Sequence, residues 1–363
     1  MSRLLVEVVR VGEIQKHENA DTLSMTQVKG WNCIFKTGDF KTGDLAIYVP
    51  IDAVLPDNLV DLYKLEYLKN GSRVRTVKLR KILSQGLLLT IPEGYRFTEG
   101  QDVAEILNIS KWEPPAPVYQ QRPGTAKPCK NRPNPDFKRY TDIDNVKNFP
   151  SVFKDGDTVI VTEKIHGTNL RAGWVPVYTG AGMSLWQRLR AWWFRIQGKT
   201  HEYVVGSHNV QIVGDNPQFY EGNVYWKIAN KYQLHKILPK GSILFGEIYG
   251  DGIQDLTYGK KKGEIDVIFF DLMKEGQYVD FDDFMAFCTN NRLPVAPMLY
   301  RGGYYDGLLE EYTCGQSHLC PATMREGCVM RAEPETNDFR IGRKILKSVS
   351  EEYLLRKNGT EWH

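Results

Sequence analysis

Apolar residues in the first hundred positions come in short bursts, broken at regular intervals by turn-forming polar residues. Residues 5–9, 33–35, 45–49 and 87–91 read as strands, and 19–21, 37–39, 42–44 and 70–71 as turns. Short strands punctuated in this way predict a small β-barrel over residues 4–109. Between Pro114 and Pro135 lie seven prolines, which exclude a helix or a central strand and predict an extended connection. The pattern then changes. Longer apolar runs at 158–162, 242–245 and 265–272 predict buried strands, and 281–291 and 350–357 have helical spacing. Trp186, Leu189, Trp193 and Ile196 share one face of a further predicted helix. That helix reads either as a core-packing or lid element, or as a basic aromatic surface for RNA or a membrane face. The expected fold class is α+β. A β-barrel over 1–112 and a linker over 113–139 precede a larger domain of antiparallel sheets with flanking helices over 140–363.

Composition narrows the class. The 363-residue chain is 42% hydrophobic and 25% charged, as expected of a soluble two-domain protein. A net charge of +3 is too small to announce a polyanionic partner, so any nucleic-acid contact must rest on local clusters. No apolar run reaches the length of a membrane span, and the charged N-terminus lacks the pattern of a secretory signal. Six scattered cysteines predict free thiols in a reducing compartment. The expectation is an intracellular monomer without a membrane partner, with cytoplasm and nucleus both left open. Cys314 and Cys320 flank His318, but no Cys-x-x-Cys pair accompanies them, so they argue only weakly for zinc.

One local basic cluster exists, formed by Arg73, Arg75, Lys78, Arg80 and Lys81. It reads as a solvated face or as a track for a phosphate backbone. Alternation along a strand would put Arg73 and Arg75 on one face and Val74 on the other. The stretch from His17 to Leu23, followed by Val28, Lys29, Gly30 and Trp31, resembles the opening of OB-fold modules that bind tRNA and other RNA. A plain β-barrel spacer is the other reading.

Chemistry enters at Lys164-Ile165-His166-Gly167-Thr168-Asn169, where an apolar strand delivers a lysine to a glycine turn. Further segments follow in order: 205–209 with His208, 244–250 with Glu247, 265–272 with Phe269 and Phe270, 326–331 opened by Glu326, and 343–348 with Lys344 and Lys347. This ordered set resembles the covalent nucleotidyltransferases, the superfamily of ATP-dependent ligases and mRNA capping enzymes. His166, where DNA ligases usually carry aspartate, looks most like RNA ligases, as do Thr168 and Asn169. The preceding barrel, the Pro-rich bridge and residues 140–145 are similar to the RNA ligase branch whose OB module comes first. About sixteen residues follow Lys347. DNA ligases and capping enzymes carry an OB domain there, so the expectation runs against both.

The resemblance implies an ATP-dependent RNA ligase that seals 3′-OH and 5′-phosphate RNA ends, including nicks in duplexes, with ATP and Mg or Mn. It implies that Lys164 accepts AMP and that Lys347 assists. Glu163, Ile165, Gly167, Asn169, His208, Glu247, Phe269, Phe270 and Lys344 would contact the nucleotide, and Glu326 and Glu247 the metal. Within that set Glu247 also meets the ribose, and Asn169 handles the RNA 5′-phosphate. Only one of Phe269 and Phe270 can stack on adenine, because alternation separates them. His208 stands where related ligases often carry arginine, and Ile345 where they carry the first of two lysines. A free lysine has a pKa of about 10.4, so neighbouring cations and burial must release the amine at neutral pH. The alternative readings are a capping guanylyltransferase, a DNA ligase, or a non-catalytic RNA-binding relative.

Overall fold

The computed structural model describes residues 4–112, 134–179, 185–212 and 223–356. Most of the Pro-rich bridge lies outside the described residues, as does the Trp186 side chain. In the N-terminal domain, Glu7–Arg10, Leu45–Val49 and Leu87–Leu89 pair as one antiparallel sheet. Gln15–Lys16, Leu23–Val28 and Trp31–Lys36 form another. Strand alternation gives the first sheet two buried faces. Val8, Ile47, Val49 and Leu89 pack with Leu59 and Val60 of the helix Asp57–Leu62. Val9, Ala46, Tyr48 and Leu88 pack with Trp31, Cys33 and Phe35 of the second sheet. At the expected 70–71 turn, Asn70 and Gly71 take φ of 60° and 73°, the left-handed conformations that these residue types tolerate.

Two large sheets dominate the second domain, beside a two-stranded one of Asn337–Asp338 and Gly342–Arg343. The five-stranded sheet runs in the order Asp144–Asn145, Ile345–Val349, Gly327–Ala332, Thr158–Lys164, Met298–Gly303. The six-stranded sheet runs Gln211–Ile212, His201–Ser207, Thr168–Pro176, Ser242–Gly250, Ile265–Lys274, Gln277–Tyr278. Pairing is antiparallel except between the first two strands of the five-stranded sheet. One face of the six-stranded sheet buries Leu170, Ala172, Leu244, Ile248, Val267 and Phe269 against the helices Val224–Lys231, Leu234–Ile237 and Phe281–Asn290. The other face turns Ile243, Phe245 and Met273 toward the five-stranded sheet, where Ile345 meets them. The seam between the sheets also holds an ionic cluster. Asp271, fully buried, takes the Tyr140 hydroxyl at 2.9 Å, Arg343 at 2.7 Å and Arg331 at 3.2 Å, and so ties strands of both sheets together.

Contacts among the described residues join the barrel to this domain. Trp31 Nε1 donates to Asn148 at 3.0 Å, with the Lys147 ammonium 4.9 Å over its ring. Lys78 donates to the Leu355 carbonyl at 3.4 Å.

Two expectations need correction. Arg73 is not a solvated or RNA-facing charge: it is buried, pairs with Asp52 at 2.8 Å and lies 4.0 Å over Trp112, while Val74 is buried as well. Arg75, Lys78, Arg80 and Lys81 are exposed. The helix Leu185–Ile196 does form, but its stripe is not core: Leu189, Trp193 and Ile196 are 47%, 54% and 59% exposed. Among the described residues, no helix is long and apolar enough to cross a membrane.

Candidate active site

Lys164 ends the strand Thr158–Lys164 of one sheet, and Thr168 opens the strand Thr168–Pro176 of the other. Residues 165–167 are therefore the crossover between the sheets. Only glycine fits at 167, because a Cβ there would lie 2.1 Å from the Ile248 carbonyl oxygen and 3.0 Å from Glu247 Cγ. This close approach draws the turn onto Glu247, which is registered with Asn169 across the strand pair. On the five-stranded sheet Lys164 is registered with Gly327. A Cβ at Gly327 would lie 2.1 Å from the Ser348 carbonyl oxygen, so that strand too is drawn in close. Lys347 sits on the same strand as Ser348, and Glu326 immediately precedes Gly327.

The geometry gathers two lysines and two acids in the seam. The Lys164 ammonium donates to Glu326 Oε1. Its side chain keeps 22% exposure, whereas Glu326 has 0%. Glu326 Oε2 and Asn169 Oδ1 are buried without a hydrogen-bond partner. Such orphaned acceptors cost about 1–3 kcal/mol each unless a ligand, water or ion satisfies them. Glu247 is half-buried, and burial pushes its carboxyl up to about 8. Lys164 and the Gly167 amide pull it down, and Glu326 adds to the rise. Lys347 moves the other way: burial first, and then Lys164, hold its ammonium below the ordinary value, against Glu326 and Asp144. Acids and bases shifted toward their neutral forms around one partly open lysine are the pattern that singles out a candidate site.

A bulge separates the two phenylalanines. Phe245 is registered with Asp271 and Gly246 with Phe269, so Phe270 is the extra residue of a bulge. Phe269 is fully buried in the helix-facing core. Phe270 is half-buried and packs against the cluster that contains Ile165, Tyr249 and Tyr258, with Tyr140 4.9 Å away edge-on.

Three other sequence candidates stand apart. Glu163 alternates away from Lys164 and accepts the His318 amide at 2.8 Å, holding the 313–320 loop. Lys344 is paired with Asp157 at 2.6 Å and lies 5.0 Å over Phe153, away from the cluster. His208 follows the strand His201–Ser207 and meets Asp142 at 3.5 Å. Cys314, His318 and Cys320 do not gather: among the described residues no group of three or more His, Cys, Asp or Glu is placed to hold a metal. Sequence reasoning missed the surroundings of His166, where Tyr258, Asp255 and Tyr353 converge on one residue. Nothing local in the sequence marks them, because they lie 89 to 187 residues from it.

A family profile described as RNA ligase matches residues 157–349, and one described as an OB-fold domain matches residues 5–91. No curated protein matches the chain. Solved structures of Naegleria gruberi RNA ligase are similar over nearly the whole length. The enzyme with PPi is 25% identical over 97% of this chain and 98% of that one, with a TM-score of 0.66. A lysine-to-methionine mutant with AMP and Mn is 25% identical over the same shares, 97% and 98%, with a TM-score of 0.68. An arginine-to-alanine mutant with ATP and Mn is 26% identical, again over 97% and 98%, with a TM-score of 0.65.

Proposed function

The chain belongs to the RNA ligase family, and on that premise we propose that it uses ATP to join a 3′-OH to a 5′-phosphate in RNA, at nicks in duplexes, through lysyl-AMP and adenylylated RNA. The observation that carries this reading is the Lys164–Glu326 pair, set in the seam beside Glu247 and Lys347.

In the first step the Lys164 amine attacks the α-phosphorus of ATP. A P–N bond forms, the bond to the β-phosphate bridge breaks, and pyrophosphate leaves. Glu326, already hydrogen-bonded to the ammonium, is placed to take the proton that frees the amine. Lys347 faces the charge that develops on the phosphates. Next, a 5′-phosphate oxygen of the RNA displaces Lys164 from AMP, giving a 5′–5′ diphosphate. Finally the 3′-OH attacks the RNA phosphorus and AMP departs. Phe270 is the residue we assign to stack on adenine, Glu247 to the ribose and Asn169 to the RNA 5′-phosphate. Two of the Naegleria structures reported above contain ATP or AMP with Mn. Glu326 and Glu247 fit a hard divalent cation, since one carboxylate oxygen lacks a partner and Mg or Mn is commonly held by one or two carboxylates plus phosphate and water. Bound there, the cation supplies positive charge to the phosphates of the nucleotide.

Incubation with α-labelled ATP and Mg or Mn tests the reading. The wild-type protein becomes labelled, and Lys164→Ala does not, a loss of more than about 10³-fold. Label on Lys164→Ala, or none on the wild type, sinks the mechanism. Sealing assays on nicked duplexes against single-stranded ends then decide the substrate form.

A further inference from the structure

We infer that the C-terminal helix Glu351–Leu355 positions the nucleophile: Tyr353, with Asp255 and Arg356, fixes His166 and thereby the turn that carries Lys164. This inference rests on Lys164 being the AMP acceptor. His166 lies two residues past Lys164, inside the crossover between the sheets, and is buried. It is gripped from three sides. Its backbone N–H donates to the Tyr258 hydroxyl at 2.8 Å, Nε2 lies 2.8 Å from Asp255 Oδ1, and Nδ1 lies 2.7 Å from the Tyr353 hydroxyl. Asp255 is itself paired with Arg356, at 2.7 Å from Nε and 3.0 Å from Nη2, and offers the imidazole only acceptors. The network therefore assigns the ring hydrogen to Nε2, so that Nδ1 accepts from the Tyr353 O–H. Tyr353 is fully buried, with its ring 5.3 Å from the imidazole edge-on and the Arg356 guanidinium 3.5 Å over its ring.

The same helix reaches the other members of the site. It is capped by Ser350, whose N–H donates to the Glu326 carbonyl at 2.8 Å. Lys347 lies three residues before that cap, on the strand that runs into the helix. One short helix thus holds the positions of Lys347, Glu326 and the Lys164 turn relative to each other. A displacement of about 1 Å in such a site costs on the order of 100-fold in rate. Tyr353 and Arg356 touch no reacting atom in this scheme and act through His166, as positioning residues.

Tyr353→Phe removes one hydroxyl and keeps the ring. With full-length protein and α-labelled ATP, single-turnover labelling should fall at least about tenfold at saturating ATP. Half-saturation should stay within about twofold, and the melting temperature within a few degrees. Arg356→Gln, at the outer end of the network, should show the same split to a smaller degree and carries the test if Tyr353→Phe does not fold. Wild-type labelling rates in both variants overturn the inference and leave the ligase reading standing. A loss of rate matched by an equal loss of ATP affinity and a collapse in melting temperature also overturns it, because that is a merely structural role. A wild-type protein that takes no label overturns the ligase reading, and this inference with it.

Discussion

Two clusters of buried charge lie in the same seam between the same two sheets, and they are built on opposite principles. Around Asp271 each charge has an opposite charge at ion-pair distance, although Arg331 Nη1 makes no hydrogen bond. Burial alone would raise its carboxyl, yet Arg343 and Arg331 hold it below the ordinary value, and the Tyr140 hydroxyl adds a hydrogen bond. Arg343 in turn meets Glu335 at 2.5 Å. Around Lys164 the charges are not matched. Glu247 is pushed up to about 8 by burial, Lys347 is pushed down, and an oxygen of Glu326 has no partner. A cluster that stabilises its own ions is a clamp. One that strains them is waiting for a charged ligand. The same residue types at similar depth therefore predict stability in one place and chemistry in the other.

The largest test of this contrast is Asp271→Ala. Removing the acid leaves Arg331 and Arg343 buried without their shared counter-charge, which should cost about 3–5 kcal/mol of unfolding free energy. Labelling of the protein that remains folded should stay near the wild-type level. Chemical denaturation and labelling on one preparation give both numbers. A stable variant with lost labelling would reverse the roles assigned to the two clusters.

Lys347→Ala should do the opposite. It should lower single-turnover labelling about 100-fold, the usual loss when one group facing transition-state charge is deleted. Its melting temperature should hold or rise, since a half-buried ammonium held below its ordinary value is removed. A melting temperature that drops by many degrees would make Lys347 part of a clamp after all.

The sequence exposes this contrast unevenly. Lys164, Gly167, Glu247, Glu326 and Lys347 are legible as an ordered set of motifs, since each alone reads as an ordinary residue and Glu247 and Lys347 lie inside strands. The choice of Phe270 over Phe269 depends on a bulge that alternation does not foresee. Lys344 and Glu163 sit beside true members of the cluster in sequence, but strand alternation sends them to the other face. Asp271, Tyr353 and Asp255 carry no local signal, because their partners arrive from strands and helices far along the chain. The helix Leu185–Ile196 forms as its spacing predicts, and its exposed stripe removes the core-packing reading while the lid and surface readings stand: helical spacing predicts a stripe, but not what covers it. Arg73 erred in the other direction, a charge in a basic run that turns inward to Asp52.

The smallest effect probes Glu247 through pH. Its native carboxyl titrates near 8 against an ordinary value of 4.5, so the folded state holds a proton that the unfolded state releases in between. A raised native value contributes stability in full below the unfolded value and loses it as pH rises through the folded one. Wild-type protein, free of nucleotide and metal, should therefore lose stability between pH 5 and pH 8 through this residue. Glu247→Gln, which cannot ionise, should lack that loss. Its melting temperature relative to the wild type should climb across the window, by about 2–4 °C for each kcal/mol in a domain this large. Asp271 gives the control for the comparison. Its depressed value contributes stability above the unfolded carboxylate range and loses it only as pH falls further, so Asp271→Asn should show no change in slope above pH 5. Equal slopes in wild type and Glu247→Gln would mean that Glu247 is ionised and matched, and the distinction between the two clusters would rest on Lys347 and the partnerless Glu326 oxygen.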